Sequence, residues 1–205
     1  MALTSFVRRG GALIALTLAA GALSLGAASP ASAGLGIACP DATTKAFAQF
    51  DDPANYAFVP NGGFESGASG WTLSGGASVI SGNETYYLHG AADRYSLRLP
   101  AGAKATTPPM CIGLASGHMR FVVGGAAGAS VKVQVIYRGL LSSVLGILDG
   151  TGTVARDGTW QPSDEVSMFF GGTVPLLTQS VQFRFTSLDG AVQIDDVYLD
   201  PFLHV

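Results

Sequence analysis

The chain is short of the residue types that most chemistry needs. Its 205 residues include only two cysteines and three histidines. The histidines, His89, His118 and His204, share no metal-ligand spacing, and none lies beside a candidate nucleophile. There is no Gly-x-Ser-x-Gly elbow and no glycine-rich phosphate loop, so serine-hydrolase and nucleotide chemistry lose their usual signatures. Two tryptophans, Trp71 and Trp160, leave few large stacking platforms. Charged residues make up 12% of the chain and the formal balance is −3. A nucleic-acid binder would carry a basic footprint instead. Beyond residue 33 no apolar run is long enough to span a bilayer.

Acidic pairs are present at Asp51–Asp52, Asp164–Glu165 and Asp195–Asp196. Two carboxylates facing one cleft can run glycoside hydrolysis. Adjacent residues on a strand point to opposite faces, however, so no single pair supplies both. The first two pairs read as solvated turn residues. The expectation is a protein that is not an enzyme.

The first residues read as an export signal. Arg8 and Arg9 precede the apolar stretch ALIALTLAAGALSLG, and SPASA ends at Ala33 with an Ala-x-Ala cleavage pattern. The paired arginines also admit twin-arginine export. Residues 1–33 are therefore expected to be a cleaved secretory signal peptide, 34–56 an N-terminal extension, and 57–205 one domain in a secreted, extracellular protein. Removing the two leader arginines deepens the charge to −5. In an exported chain Cys39 and Cys111 are expected to pair. That bridge would close a loop of about 70 residues and stabilise by at most about 4 kcal/mol. The alternative for Cys39 is bacterial lipidation and a cell-surface lipoprotein, but Gly36 in LGIA stands where a large aliphatic is wanted.

What is present is β-forming. Glycine is abundant (28 residues), and short runs of period two recur between turn signals. Tyr95, Leu97 and Leu99 share a face. So do Met119, Phe121 and Val123; Val131, Val133, Val135 and Tyr137; and Val181, Phe183 and Phe185. ATTKAFAQF (42–50) suits two turns of helix. Asp189-Gly190 between alternating runs predicts a type I′ hairpin joining the last two strands as antiparallel neighbours. LLSSVLGILDG (140–150) is expected in the core as a strand or short helix, with a covering loop or interaction patch as the alternative. The whole reads as an all-β sandwich or jelly roll. In AVQIDDVYLD (191–200) the apolar phase runs Val192, Ile194 and then Val197, Leu199. The slip at Asp195–Asp196 predicts a bulge.

Several segments stand in a telling order: NGGFE (61–65), Trp71, Ser96 to Leu99, Trp160 in DGTWQP, and IDDV (194–197). Together they resemble the jelly-roll carbohydrate-binding modules of families 4, 9 and 22, over about residues 57–203. The resemblance implies a single jelly-roll β-sandwich and a structural calcium where the first and last strands meet. Carried over, its ligands are Glu65 and Asp195, with Asp93 and Gly63 from the adjoining loops, and Asp196 as a further ligand or a turn stabiliser. Calcium takes six to eight oxygens, which acids and backbone carbonyls of a glycine-rich loop supply.

The resemblance also implies a polysaccharide or cell-surface glycan as partner. Both tryptophans fall at positions such modules use for packing, and AGAKATT (101–107) stands where a groove aromatic is expected. Tyr86 and Tyr87 are the free aromatics, one of them expected in the core. Arg98, Arg120, Gln134, Arg138 and Arg184 lie opposite the apolar faces. On one concave sheet they would present planar donors to an acidic polysaccharide. The alternative is a structural or protein-interaction sandwich that has lost sugar binding.

Overall fold

The computed structural model describes residues 42–111, 117–139, 143–149, 153–154, 158–167, 178 and 180–200. The expected leader, Cys39 and residues 201–205 lie outside them. One turn of 3-10 helix, Ala48–Phe50, precedes the strands β1 (Ala57–Phe58), β2 (Thr72–Ser74), β3 (Ser78–Ser81), β4 (Tyr95–Leu99), β5 (Lys104–Thr106), β6 (His118–Gly125) and β7 (Ser130–Arg138). The later strands are β8 (Val144–Asp149), β9 (Thr153–Val154), β10 (Gln161–Pro162), β11 (Val166–Ser167), β12 (Ser180–Ser187) and β13 (Val192–Leu199).

They form two antiparallel sheets packed as a jelly-roll β-sandwich. A seven-stranded sheet runs β10-β6-β13-β4-β3, with β1 on β13 and β11 on β6; a six-stranded sheet runs β2-β5-β12-β7-β8, with β9 on β7. The period-two patterns explain the layers. Leu97, Leu99, Met119, Phe121, Val123, Ile194 and Val192 face Val131, Val133, Val135, Tyr137, Val181, Phe183 and Phe185 across the core, all fully buried. Each such side chain is worth about 2 kcal/mol on leaving water. Tyr95, at the start of β4, departs from the predicted face and is exposed.

Three local expectations are corrected. The 42–50 helix shrinks to a single 3-10 turn, ended by Asp51 in the left-handed region at φ 61°. The Asp189-Gly190 turn is not a hairpin: β12 lies between β5 and β7 in one sheet, and β13 between β4 and β6 in the other. Neither Asp189 nor Gly190 takes the positive φ a type I′ turn needs. The turn is instead tied to β7, where Leu188 N–H donates to Ser130 O (2.9 Å) and Ser130 Oγ to Asp189 Oδ2 (2.6 Å). Finally, β8 is an edge strand, with Val144, Leu145 and Ile147 exposed rather than in the core.

The bulge is where the phase slip put it. Against β6, Asp195 pairs with Val122 and Tyr198 with Arg120, so Asp196 and Val197 together oppose one residue. Asp196 takes φ 47°. Outside the seven-stranded sheet lies a second apolar cluster. Phe47, Ala54 and Tyr56 of the lead-in pack there on Val122 and Tyr198, joined by Phe50, Phe58, Tyr86, Leu88 and Trp160. The segment before β1 is thus a roof over that sheet.

Candidate functional site

The bulge and the loops above it gather the acids. The NGGFE loop is shaped by Asn61, whose Oδ1 accepts Ser66 N–H (3.1 Å) and whose Nδ2 donates to Gly67 O (2.9 Å) and Ser69 O (3.0 Å). The loop meets the last strand through backbone: Val59 N–H donates to Val197 O (3.0 Å) and Val197 N–H to Gly62 O (3.2 Å). A side chain at Gly62 would put its Cβ 2.7 Å from Val197 O. Glycine there permits the contact. Phe64 and Trp71 of the same motif pack in the core with their rings tilted and centroids 4.8 Å apart.

The predicted metal ligands do not all converge. Glu65 Oε1 accepts the amides of Arg94 (2.8 Å) and Tyr95 (2.9 Å), tying the loop to β4. Asp195 is fully buried, and both its oxygens take backbone N–H groups, Oδ2 from Glu84 (3.0 Å) and Oδ1 from Asp196 (2.9 Å). Asp196 is the acid aimed at the loop. Its Oδ2 accepts His89 N–H (3.0 Å), while its buried Oδ1 has no hydrogen-bond partner. A Cβ at Gly63 would lie 3.1 Å from that oxygen. Asp93 Oδ2 is 2.7 Å from His89 Nδ1. One ligand atom each from His89, Asp93 and Asp196 lie within 4.8 Å of one another. Gly63, Glu65 and His89 line a pocket of about 230 Å³ with Phe58, Asn61 and Ser66.

Sequence reasoning missed Glu84. It is fully buried and binds Leu88 N–H (2.7 Å) and Tyr86 N–H with its carboxylate, folding the 84–88 loop onto the bulge. Three buried carboxylates so share one neighbourhood. Burial, then the Asp196 charge, pushes the Asp195 carboxyl up to about 9. Burial likewise raises Asp196 to about 7, with the Glu84 charge adding and the His89 amide opposing. A proton or a cation must balance this cluster.

The predicted sugar-binding set divides between sheets. Arg120 is on β6 under the roof, not in a groove. It pairs with Asp52 (2.6 Å), donates to Ser163 O (2.9 and 3.1 Å) and lies 4.7 Å from the Phe47 ring centroid. Burial alone would raise the Asp52 carboxyl, but bonds from Tyr56 and Arg120 hold it below its usual value. Tyr86 is not free either, since its hydroxyl donates to Trp160 O (2.8 Å) and its ring meets Phe50 edge-on at 4.8 Å. Tyr87 is exposed at φ 54°. Arg98 is exposed on β4 of the same sheet as Arg120.

Gln134, Arg138 and Arg184 do share one face, the outside of the six-stranded sheet. Pairing aligns Thr72, Thr106, Arg184, Gln134 and Asp149 in one cross-strand row, and Ser74, Lys104, Thr186 and Lys132 in the next. Asp149 accepts from Lys132 Nζ (2.8 Å) and Gln134 Nε2 (2.8 Å), and Gln182 Oε1 accepts from Arg138 Nε (2.7 Å). Among the described residues no side chain pairs with Arg184. A separate cleft of about 330 Å³ is lined by Asp52, Tyr56, His118, Glu165 and Asp200. No helix among the described residues is long and apolar enough to cross a membrane.

No family model matches the chain, and no curated protein matches it. Solved structures match its fold. The tandem CBM22-1–CBM22-2 domain of Paenibacillus barcinonensis Xyn10C superposes with TM-score 0.50 at 15% identity, over 73% of this chain and 46% of that one. The CBM22-1 xylan-binding domain of the same protein gives 0.48 at 16% identity over 70% of this chain and 93% of that one. The family 11 carbohydrate-binding module of Clostridium thermocellum Lic26A-Cel5E gives 0.46 at 12% identity, over 74% of this chain and 98% of that one. The fold is a jelly-roll β-sandwich like that of these solved structures, as the motif order implied.

Proposed function

We propose that the chain is a secreted, non-catalytic glycan-binding module that takes acidic polysaccharide on the outer face of its six-stranded sheet. One observation carries this: Lys104, Lys132, Arg138 and Arg184 lie on that face with Asp149, amid Thr, Ser and Gln side chains, with Ile136 and Ile147 towards the β8 edge and no described aromatic. Neighbouring strands lie about 4.8 Å apart, so the rows form a ladder of donors on which consecutive carboxylated sugars can lie. The similarity to xylan-binding domains supports the fold, while the absence of an aromatic platform there turns the preference from neutral stacking to charge. Affinity electrophoresis in polygalacturonate, alginate and neutral xylan tests it. Retardation in the acidic gels, weakened by salt and by Arg184→Ala, is expected. No retardation in any gel would end the glycan reading.

A structural cation between the Gly63 loop and β13 belongs to this proposal, calcium being the ion the resemblance implies. The fit is through Asp196, whose buried oxygen lacks a partner, with Asp93 beside it. Such an ion would neutralise the buried acids and join loop to strand. A Cys39–Cys111 bridge and export through residues 1–33 complete the reading. No described cysteine is a free thiol; mass spectrometry before and after reduction tests the bridge.

The exposed apolar edge of β8, with Val144 51% and Ile147 42% exposed, favours a second reading as a protein-interaction sandwich. Placing a charge on that edge with Val144→Asp would then abolish partner capture and leave polysaccharide binding unchanged.

A further inference from the structure

We infer that His89, Asp93 and Asp196 make the cradle a mixed nitrogen–oxygen site for a borderline divalent metal ion, zinc(II) foremost, in place of an all-oxygen calcium cage. The inference rests on the cation reading of this pocket and names which ion it takes.

The donor set decides the class of ion. Calcium wants six to eight oxygens. Here Asp195 has both carboxyl oxygens bound to backbone N–H groups, and Glu65 Oε1 takes two more. What remains converging is one imidazole and two carboxylates, with ligand atoms within 4.8 Å of one another. Zinc binds His nitrogen and Asp oxygen at about 2.0–2.2 Å, which places tetrahedral ligands about 3.4 Å apart. Small side-chain adjustments bring the three to that spacing, and a water from the adjoining pocket takes the fourth position.

A second observation points independently to an ion. Asp196 is fully buried and its Oδ1 has no hydrogen-bond partner. A buried carboxylate oxygen left bare is costly, and a bound metal ion would satisfy it. The rest of the acid is fixed by the His89 amide at Oδ2 (3.0 Å), so the bare oxygen is held in place.

The imidazole is oriented in advance as well. Its ring stacks on Phe58 with centroids 4.0 Å apart and planes 6° apart. Its Nδ1 lies 2.7 Å from Asp93 Oδ2, and a metal ion bound at Nδ1 leaves the ring proton on Nε2. Two glycines keep the seat clear: a Cβ would lie 3.1 Å from Asp196 Oδ1 at Gly63, and 3.2 Å from Asp93 Oδ1 at Gly90. An imidazole donor favours zinc over calcium by ligand type.

Isothermal titration of the chelator-stripped protein with zinc chloride, and separately with calcium chloride, tests the inference. One zinc ion per chain is expected, at least about a hundredfold tighter than calcium, with a tetrahedral cobalt(II) spectrum on substitution. His89→Ala should lower zinc affinity at least about tenfold and leave calcium affinity unchanged. His118→Ala, beside Glu165, is the control and should change neither. Calcium binding as tight as zinc, or indifference to His89→Ala, would overturn this inference and leave the cation reading standing. Binding of neither ion would overturn both.

Discussion

The two outer faces of the sandwich have the same backbone and opposite fates. Outside the seven-stranded sheet, the lead-in and the 82–93 loop cover the strands and bury Phe47, Tyr56, Tyr198, Glu84, Asp195 and Asp196. Outside the six-stranded sheet, Lys104, Arg184, Lys132 and Gln134 stay at the surface. An arginine shows the difference. Arg120 on the roofed face is used up by Asp52, Ser163 and Phe47, whereas Arg184 on the open face has no described partner. Roofing turns polar residues into structure, and exposure leaves them for a ligand.

The contrast is tested most sharply by those two arginines. Arg120→Ala strands the Asp52 carboxylate in a largely buried pair, so a loss of about 3 kcal/mol is expected, or roughly 10 °C in melting followed by circular dichroism. Arg184→Ala should stay within about 0.5 kcal/mol. Equal losses in the two variants would erase the distinction between the faces.

The roofed acids should also make stability depend on pH. Asp195 and Asp196 have folded-state values of about 9 and about 7, above their unfolded values. Their contribution is therefore full in acid, below the unfolded value, and is lost as pH rises through about 7 and then about 9. In chelator, urea unfolding at pH 8.5 should give a stability several kcal/mol below that at pH 5.5, at most about 6 kcal/mol, and a bound divalent cation should narrow the gap. Equal stability at the two pH values would show that the cluster is not what couples fold to proton. Asp52, held low by Tyr56 and Arg120, acts in the opposite sense and loses its contribution only as pH falls through its depressed value.

At the joint between loop and bulge, Gly62→Ala should cost about 2 kcal/mol, because the new methyl meets Val197 O. A melting temperature equal to the parent's would show that the joint gives way freely. The smallest effect belongs to the open face. Lys132→Ala should weaken acidic-polysaccharide binding about threefold to tenfold with melting unchanged, since it removes one exposed charge of a ladder.

Much of the sandwich was legible because burial on one side of a strand writes itself as alternation. Val131 to Tyr137 and Val181 to Phe185 needed no partner to be read, and the slip at Asp195–Asp196 marked the bulge before any pairing was known. The Asp189-Gly190 turn misled because turn propensity is local, whereas the sheet a strand joins depends on which edges remain open. β8 misled because apolar residues at an edge read the same as apolar residues in a core.

The site was legible in part, and the boundary has a physical cause. The order of motifs along the chain pointed to the first loop and the last strand as neighbours, and backbone bonds between Gly62 and Val197 join them, but Glu65 turns to β4 instead of meeting the acids of the last strand. Only the folded chain decided that Asp196 rather than Asp195 faces the cradle, that Glu84 and His89 arrive from a loop about a hundred positions away, and that Arg120 and Arg184 part company. Those outcomes turn on long-range approach of side chains and on what covers each face, and neither is encoded in the spacing of adjacent residues.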